Sequence, residues 1–174
     1  MFTRIFGTTT EEIKQAAEII KDGGLVAFPT ETVYGLGADA LNAEAVGKVY
    51  AAKGRPSDNP MIVHISSKDD VLKLTPKITE DMQKLMDAFW PGPLTMVVPA
   101  LDVIPKVTTG GLDTVGIRMP SEPAAAELIS ASETPIAAPS ANLSGKPSPT
   151  TYQHVVDDLD GRIDGIIAGG ECKA

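Results

Sequence analysis

The first periodic stretch is Thr9 to Lys21, where Ile13, Ala16, Ala17 and Ile20 recur at helical spacing among charged residues. Thr9 and Glu12 have capping-box spacing and Gly23-Gly24 supplies a stop, so the stretch predicts a helix. Leu25-Val26-Ala27-Phe28 is an unbroken apolar run ended by Pro29, which predicts a short buried strand. Asn42 is placed to cap a second helix reaching about Lys53, with Val46, Val49 and Tyr50 turned inward. In Met61 to Ile65, Met61, Val63 and Ile65 share one face and Ile62 and His64 the other, the alternation of a strand. Helical patterns follow near 68–74 and 79–89. Leu94 to Pro99 and Thr114 to Met119 read as strands, and Glu122 to Ser130 as a helix starting from Ser121. Pro135 to Pro139 reads as a short strand, Thr150 to Leu159 as a helix and Ile163 to Ala168 as a last strand. Helices and strands alternate throughout, which predicts the α/β class with a mixed or mostly parallel sheet.

Composition narrows this picture. The 174 residues fit one domain at ~150 residues each, and 43% hydrophobic with 22% charged residues describes a globular rather than a disordered chain. The lone cysteine, Cys172, excludes an internal disulfide, and two histidines besides leave a structural zinc site short of ligands. Met1 to Phe6 lacks a basic region followed by an apolar stretch, and no apolar run approaches ~18 residues. The expectation is therefore a cytoplasmic protein with no membrane span. A net charge of −8 disfavours holding nucleic acid through the overall field and leaves a local basic groove open.

The chain carries no GxxxxGK[ST], GxSxG or HExxH pattern. Gly35-Leu36-Gly37-Ala38-Asp39-Ala40 fits GxGxxA, but a dinucleotide loop opens directly from a strand into a helix, and the helix cap here is Asn42. Three polar clusters sit at the ends of predicted strands, where open α/β sheets place ligands. The first, Pro29 to Gly37, is rich in hydroxyls and is either an ordinary turn or a loop that holds a small polar molecule. The second, Lys53 to Pro60, puts two cations two positions apart at a helix end. They either complement the helix C-terminus or clamp a phosphate, lysine as a mobile point charge and arginine as a planar fork. The third, Ala138 to Thr150, brings hydroxyls, an amide and N–H groups ahead of a helix. That suits phosphate or ribose, and equally reads as a Ser/Pro-rich loop.

Two single residues add to these. His64 faces away from Met61, Val63 and Ile65, as either a structural histidine or a ligand contact. Arg118 lies opposite Val115 and Ile117, where a buried guanidinium needs either an Asp or Glu or a substrate carboxylate. Trp90, in Phe89-Trp90-Pro91-Gly92-Pro93, reads as core packing around a rigid turn.

Taken together, these blocks resemble the YrdC/TsaC family, the L-threonylcarbamoyladenylate synthases. Pro29 to Gly37 (PTETVYGLG) resembles the family's opening motif, Lys53-Gly54-Arg55 its KxR and Ser140-Ala141-Asn142 its SxN. Pro60 to Ile65 (PMIVHI), Trp90 to Thr95 (WPGPLT) and Gly111 to Pro120 (GLDTVGIRMP) are similar to further family blocks, so the resemblance runs from about Thr9 to Gly170. It implies a single domain over residues 1–174 with a YrdC-like twisted mixed β-sheet, flanking helices and a concave electropositive ligand face.

The implied reaction joins L-threonine, bicarbonate and ATP into threonylcarbamoyl-AMP and pyrophosphate. A separate tRNA threonylcarbamoyl-transferase system would use the product for tRNA threonylcarbamoyladenosine. By the same resemblance Thr32, His64, Arg118 and the backbone at Ala138 would hold L-threonine, with Arg118 on its carboxylate and Tyr34 walling the pocket. Arg55, Asn59, Thr114, Ser140 and Ser148 would hold ATP, Lys53 would face its phosphates and the developing charge, and Asn142 would lie beside the nucleotide. Mg²⁺ would come with the ATP phosphates rather than in a cage of side chains. Family members of this type continue with a GVEST-like segment and a basic LRxG-like segment, and this sequence stops at Ala174. Two other readings of the same fold are a non-catalytic RNA-binding module and a carbamoyl-adenylating relative with a different acceptor.

Overall fold

In the computed structural model, residues 1–54 and 59–172 are described. Their strands are β1 (Arg4–Phe6), β2 (Val26–Pro29), β3 (Tyr34–Asp39), β4 (Ile62–His64), β5 (Thr95–Pro99), β6 (Thr114–Arg118), β7 (Ile136–Ala138) and β8 (Gly165–Ile167). Their helices are α1 (Thr10–Lys21), α2 (Ala43–Lys53), α3 (Glu80–Phe89), α4 (Lys106–Thr109), α5 (Pro123–Ser132) and α6 (Tyr152–Leu159), with a 3₁₀ turn at Lys68–Lys73. The strands form one sheet in the order β1-β8-β2-β3-β7-β4-β6-β5. β8 runs parallel to β1 and β2, and β4 parallel to β6, while the remaining pairs are antiparallel. The mixed α/β sheet expected from the alternation is present. Among the described residues no helix is long and apolar enough to cross a membrane.

Local signals explain most of the elements. Thr9 caps α1 by accepting from Glu12 N at 3.2 Å, and Asn42 caps α2 by accepting from Ala45 N at 3.1 Å. The helix expected to start from Ser121 is capped instead by Glu122, whose carboxylate accepts from Ala124 N at 3.3 Å, with Pro123 at the first helical position. Two strands escape the periodicity. β1 is three residues long, and β3 begins inside Pro29 to Gly37, the segment read as a turn or loop, and runs on to Asp39.

Alternation sends successive side chains to opposite faces, and the two faces are covered differently. One face carries Ala27, Leu36, Val63, Met96, Ile117, Ala137 and Ile166 and is packed against Val46 and Val49 of α2, Met86 of α3 and Val155 and Leu159 of α6. The other carries Phe6, Val26, Phe28, Ile136 and Ile167 under Ile13, Ala16 and Ile20 of α1 and Leu128 and Ile129 of α5. That helical layer ends over β7. The register pairs Ile136 with His64, His64 with Arg118 and Arg118 with Thr95, so these side chains continue the same face past the layer's edge. There β4, β6 and β5 present Ile62, Gly116 and Val97 with no helix over them among the described residues, and Val97 is exposed.

Gly37 lies on the α1/α5 face of β3, where a Cβ would stand 2.7 Å from Ile136 Cγ2 and 2.8 Å from the Phe28 ring. The ring of Phe28 in turn meets His64 edge-on, 6.0 Å between centroids. His64 Nδ1 lies 3.1 Å from Ile62 O and 3.3 Å from Ile136 O. Both partners only accept, so Nδ1 carries the hydrogen and Nε2 keeps its lone pair. Burial makes the charged ring unfavourable and lowers its pKa from 6.5 to about 4.

Two outcomes are expected. Gly37→Ala should destabilise the fold by about 1–3 kcal/mol in chemical denaturation, since the neighbouring ring and isoleucine cannot both move aside. An unchanged midpoint would show that the strand shifts freely. For His64, the unfolded ring takes a proton near pH 6.5 and the folded ring only near 4, so stability present above 6.5 is lost as the pH falls through that window. Between about pH 7 and about pH 4.5, the parent chain should lose roughly 2 kcal/mol more than His64→Gln. Parallel losses in urea titrations would mean that His64 is protonated or solvated in the folded state.

Candidate functional site

At the edge of the α1/α5 layer the sheet face drops into a cavity of about 240 Å³. Its lining includes Thr30 and Thr32 from the β2–β3 turn, His64 from β4, Arg118 from β6, Ala138 from β7 and Ser140 beyond it. The structure therefore brings together Thr32, His64, Arg118, Ala138 and Ser140, which lie far apart in sequence. Strand register does most of this: His64 is opposite Arg118 across a parallel pair, and Ile62 is opposite Ala138 across an antiparallel one.

The turn at the rim is fixed by its own hydroxyl. Thr30 Oγ1 donates to Val33 O at 2.6 Å and accepts from the amides of Thr32 and Val33, each at 3.3 Å. The 139–141 segment is bonded along β3: Leu36 N donates to Pro139 O and Ala141 N to Tyr34 O, both at 2.8 Å. Through these bonds the first and third polar clusters form adjoining walls.

Arg118 is buried, and burial pulls its pKa below the ordinary value. Its Nε donates to Gly92 O at 3.2 Å, and its Nη2 is ion-paired with Glu31 Oε1. Glu31 Oε2 accepts from Ser121 N at 2.6 Å and from Ser121 Oγ at 2.5 Å. Of the two partners the sequence left open for this guanidinium, the protein supplies a carboxylate of its own. Gly92 belongs to the turn beside Trp90, whose buried ring donates to Leu94 O at 2.8 Å. Trp90 is core packing, as its sequence reads, and the turn is tight: a Cβ on Gly92 would stand 2.5 Å from Phe89 O. With His64 neutral and Arg118 countered by Glu31, the charge in this lining is balanced.

Other expected residues stand elsewhere. Tyr34 does not line the cavity. Alternation along β3 turns its ring to the opposite face from Gly35, and its hydroxyl accepts from Gly169 N at 3.0 Å and donates to Gly170 O at 3.3 Å. Burial pushes this phenol up to about 12, so it is neutral at physiological pH. Lys53 is buried rather than turned to an open surface, because polar oxygens of the neighbouring loop surround its ammonium. Its Nζ donates to Ser140 O, to Asn142 O at 2.9 Å and to Asn142 Oδ1 at 3.3 Å. Asn142 is itself buried and donates to Leu143 O at 2.7 Å and Lys146 O at 2.8 Å. Lys53 and Asn142 thus form one knot behind Ser140, one residue from the cavity wall.

Of the remaining residues expected to hold ATP, Thr114 is exposed at the end of β6 remote from Arg118, opposite Pro99. Asn59 is exposed, and its carbonyl accepts from Tyr50. Ser148 borders a separate recess of about 230 Å³ with Lys146, Thr150 and His154. Arg55 lies outside the described residues. Sequence reasoning missed Glu31 and Gly92 as partners of Arg118 and Ser121 as the partner of Glu31. The signal available was the carboxylate inside the hydroxyl-rich turn. Among the described residues no three His, Cys, Asp or Glu side chains gather as a metal site.

Comparison with known proteins supplies a family. A family model for Sua5, YciO and YrdC proteins, described as "Telomere recombination", matches residues 18–174. A threonylcarbamoyl-AMP synthase of Pyrococcus abyssi is 56% identical over 162 residues, covering 93% of this chain and 48% of the relative. A threonylcarbamoyl-AMP synthase of Bacillus subtilis is 56% identical over 164 residues, covering 94% and 47%. The crystal structure of P. abyssi Sua5 complexed with L-threonine superposes with a TM-score of 0.96 at 53% identity, covering 98% of this chain and 51% of that one. The chain thus spans about half the length of these relatives. On the matched length and these identities, the chain belongs to the Sua5/YciO/YrdC family.

Proposed function

We propose that the chain carries the substrate-binding and adenylating site of a threonylcarbamoyl-AMP synthase, which condenses L-threonine, bicarbonate and ATP. The observation that supports this most is the cavity that gathers Thr32, His64, Arg118 and Ala138. It offers a guanidinium for a carboxylate, a neutral imidazole lone pair and hydroxyls for small polar groups. At about 240 Å³ it lies below the roughly 300–1,000 Å³ of pockets for drug-sized ligands, which suits an amino acid. The relatives' names and the threonine complex of P. abyssi Sua5 support the same reading.

In this reading Arg118 takes the threonine carboxylate, while Thr32, His64 Nε2 and the backbone at Ala138 hold its hydroxyl and amine. The amine nitrogen bonds to the carbon of CO₂ and gives up a proton to solvent, or to that of bicarbonate with loss of water, giving a carbamate. A carbamate oxygen then attacks the α-phosphorus of ATP, the bond to the β-phosphate oxygen breaks, and pyrophosphate leaves. Little acid–base chemistry is needed once the amine is neutral, so positioning and charge on the phosphates carry the rate. ATP enters as its Mg²⁺ complex and lies along the open sheet face, with Ser140 at the junction of the two substrates. Asn59, Thr114, Asn142 and Ser148 are its further contacts, and Arg55 is its phosphate fork. Lys53 acts through the Ser140–Asn142 loop that it holds as well as through its charge. The product goes to a tRNA threonylcarbamoyl-transferase system.

The deciding experiment measures pyrophosphate release with L-threonine, bicarbonate and ATP each omitted in turn. Release should need all three, and release independent of threonine would refute the reading. Arg118→Ala should raise the threonine requirement about tenfold or more while moving the ATP requirement by less than about twofold, since a charge-assisted pair contributes about 1.5–3 kcal/mol. Equal effects on both substrates would contradict the carboxylate role.

A further inference from the structure

The guanidinium of Arg118 is held from behind. Nε is bonded to Gly92 O at 3.2 Å. Nη2 is buried and paired with Glu31 Oε1, an oxygen that is buried as well. Glu31 does not border the cavity that Arg118 lines. Its second oxygen is held by the amide and hydroxyl of Ser121 at 2.6 and 2.5 Å, and the amide is part of the chain entering α5. The turn carrying Glu31 is locked by the Thr30 hydroxyl. The carboxylate is thus held on both sides, outside the cavity lining. With Nε and Nη2 engaged, Nη1 is the nitrogen left for a ligand.

We propose that Glu31 is a positioning residue for amino-acid binding: with Ser121 it fixes the Arg118 guanidinium so that its remaining edge faces the substrate carboxylate. Three consequences follow from the geometry. The buried cation has a counter-charge before any ligand arrives, so Arg118 does not wait unpaired. The guanidinium is already oriented, so binding does not have to order it. The pair is neutral overall, which matches a ligand that is itself neutral overall, such as an amino-acid zwitterion. This inference rests on the threonine reading of the cavity.

The test is calorimetric titration of L-threonine and, separately, Mg-ATP into the parent chain, Glu31→Gln and Ser121→Ala. Glu31→Gln should weaken threonine binding about tenfold or more, and Ser121→Ala about two- to fivefold, with ATP affinity within about twofold of the parent in both. The ATP titration separates this from loss of fold, and the fluorescence of the single tryptophan, Trp90, gives an independent reading of threonine binding beside Gly92. Unchanged threonine affinity in Glu31→Gln overturns the proposal. So does tighter binding, which would make Glu31 a competitor for the guanidinium. If Glu31→Gln does not fold, Ser121→Ala decides: a weakened threonine affinity supports the proposal and an unchanged one overturns it. A parent chain that binds ATP but not threonine defeats the threonine reading itself, a result distinct from failure of the Glu31 variants alone.

Discussion

A guanidinium taken out of water must meet an opposite charge, and the site is arranged around that requirement. Arg118 is brought into the sheet by the alternation that also buries Val115 and Ile117 on the other face. Its burial calls for Glu31, Glu31 calls for the locked turn at Thr30, and the carboxylate's second oxygen calls for Ser121. Gly92 completes the set, and only a residue without a side chain fits where that carbonyl is offered. Three separate stretches of sequence, 30–31, 92 and 118–121, are thus committed by one charge.

A second constraint shapes the surface on which that charge is used. The α1/α5 layer covers the sheet from β1 to β7 and no further. Where it stops, the face holds a neutral histidine, a glycine and an arginine beside Ile62 and Val97. The cavity lies at this step, walled on one side by residues packed under the helices and on the other by strands that no helix covers among the described residues. Lys53 and Asn142 brace the far wall from inside, and Tyr34 ties the 169–170 segment to β3 from the opposite face.

Much of this was legible from the residues. Alternation in Met61–Ile65 and Thr114–Arg118 already placed His64 and Arg118 away from the apolar face. It could not place them opposite each other, because register between strands 54 residues apart is a tertiary property. The start of β3 lies in the hydroxyl-rich segment that reads as a turn or loop, although Tyr34, Leu36 and Ala38 alternate with Gly35 and Gly37. The reason for Gly37 is the crowding of Phe28 and Ile136, and no neighbour in sequence reveals it. Lys53 is a helix-end cation in sequence and a buried tether in space, since its partners belong to a loop nearly ninety residues on. Ser121 has the residue type of a helix cap, but its hydroxyl is bonded to Glu31 and Glu122 caps the helix.

The position of β8 sets the order in which the fold can be completed. β8 is inserted between β1 and β2, and the hydroxyl of Thr3 donates to Ile163 O, 160 residues away. A ribosome adding about 5–20 residues per second takes on the order of 10–30 s to make that span. Until then the first strand has no partner on this edge, and the groove that β8 fills stays open. The α2 and β4–β6 regions draw their neighbours from nearer in the chain and are free to assemble earlier. Closure of the sheet is therefore a late, long-range event, of the kind that makes folding slow.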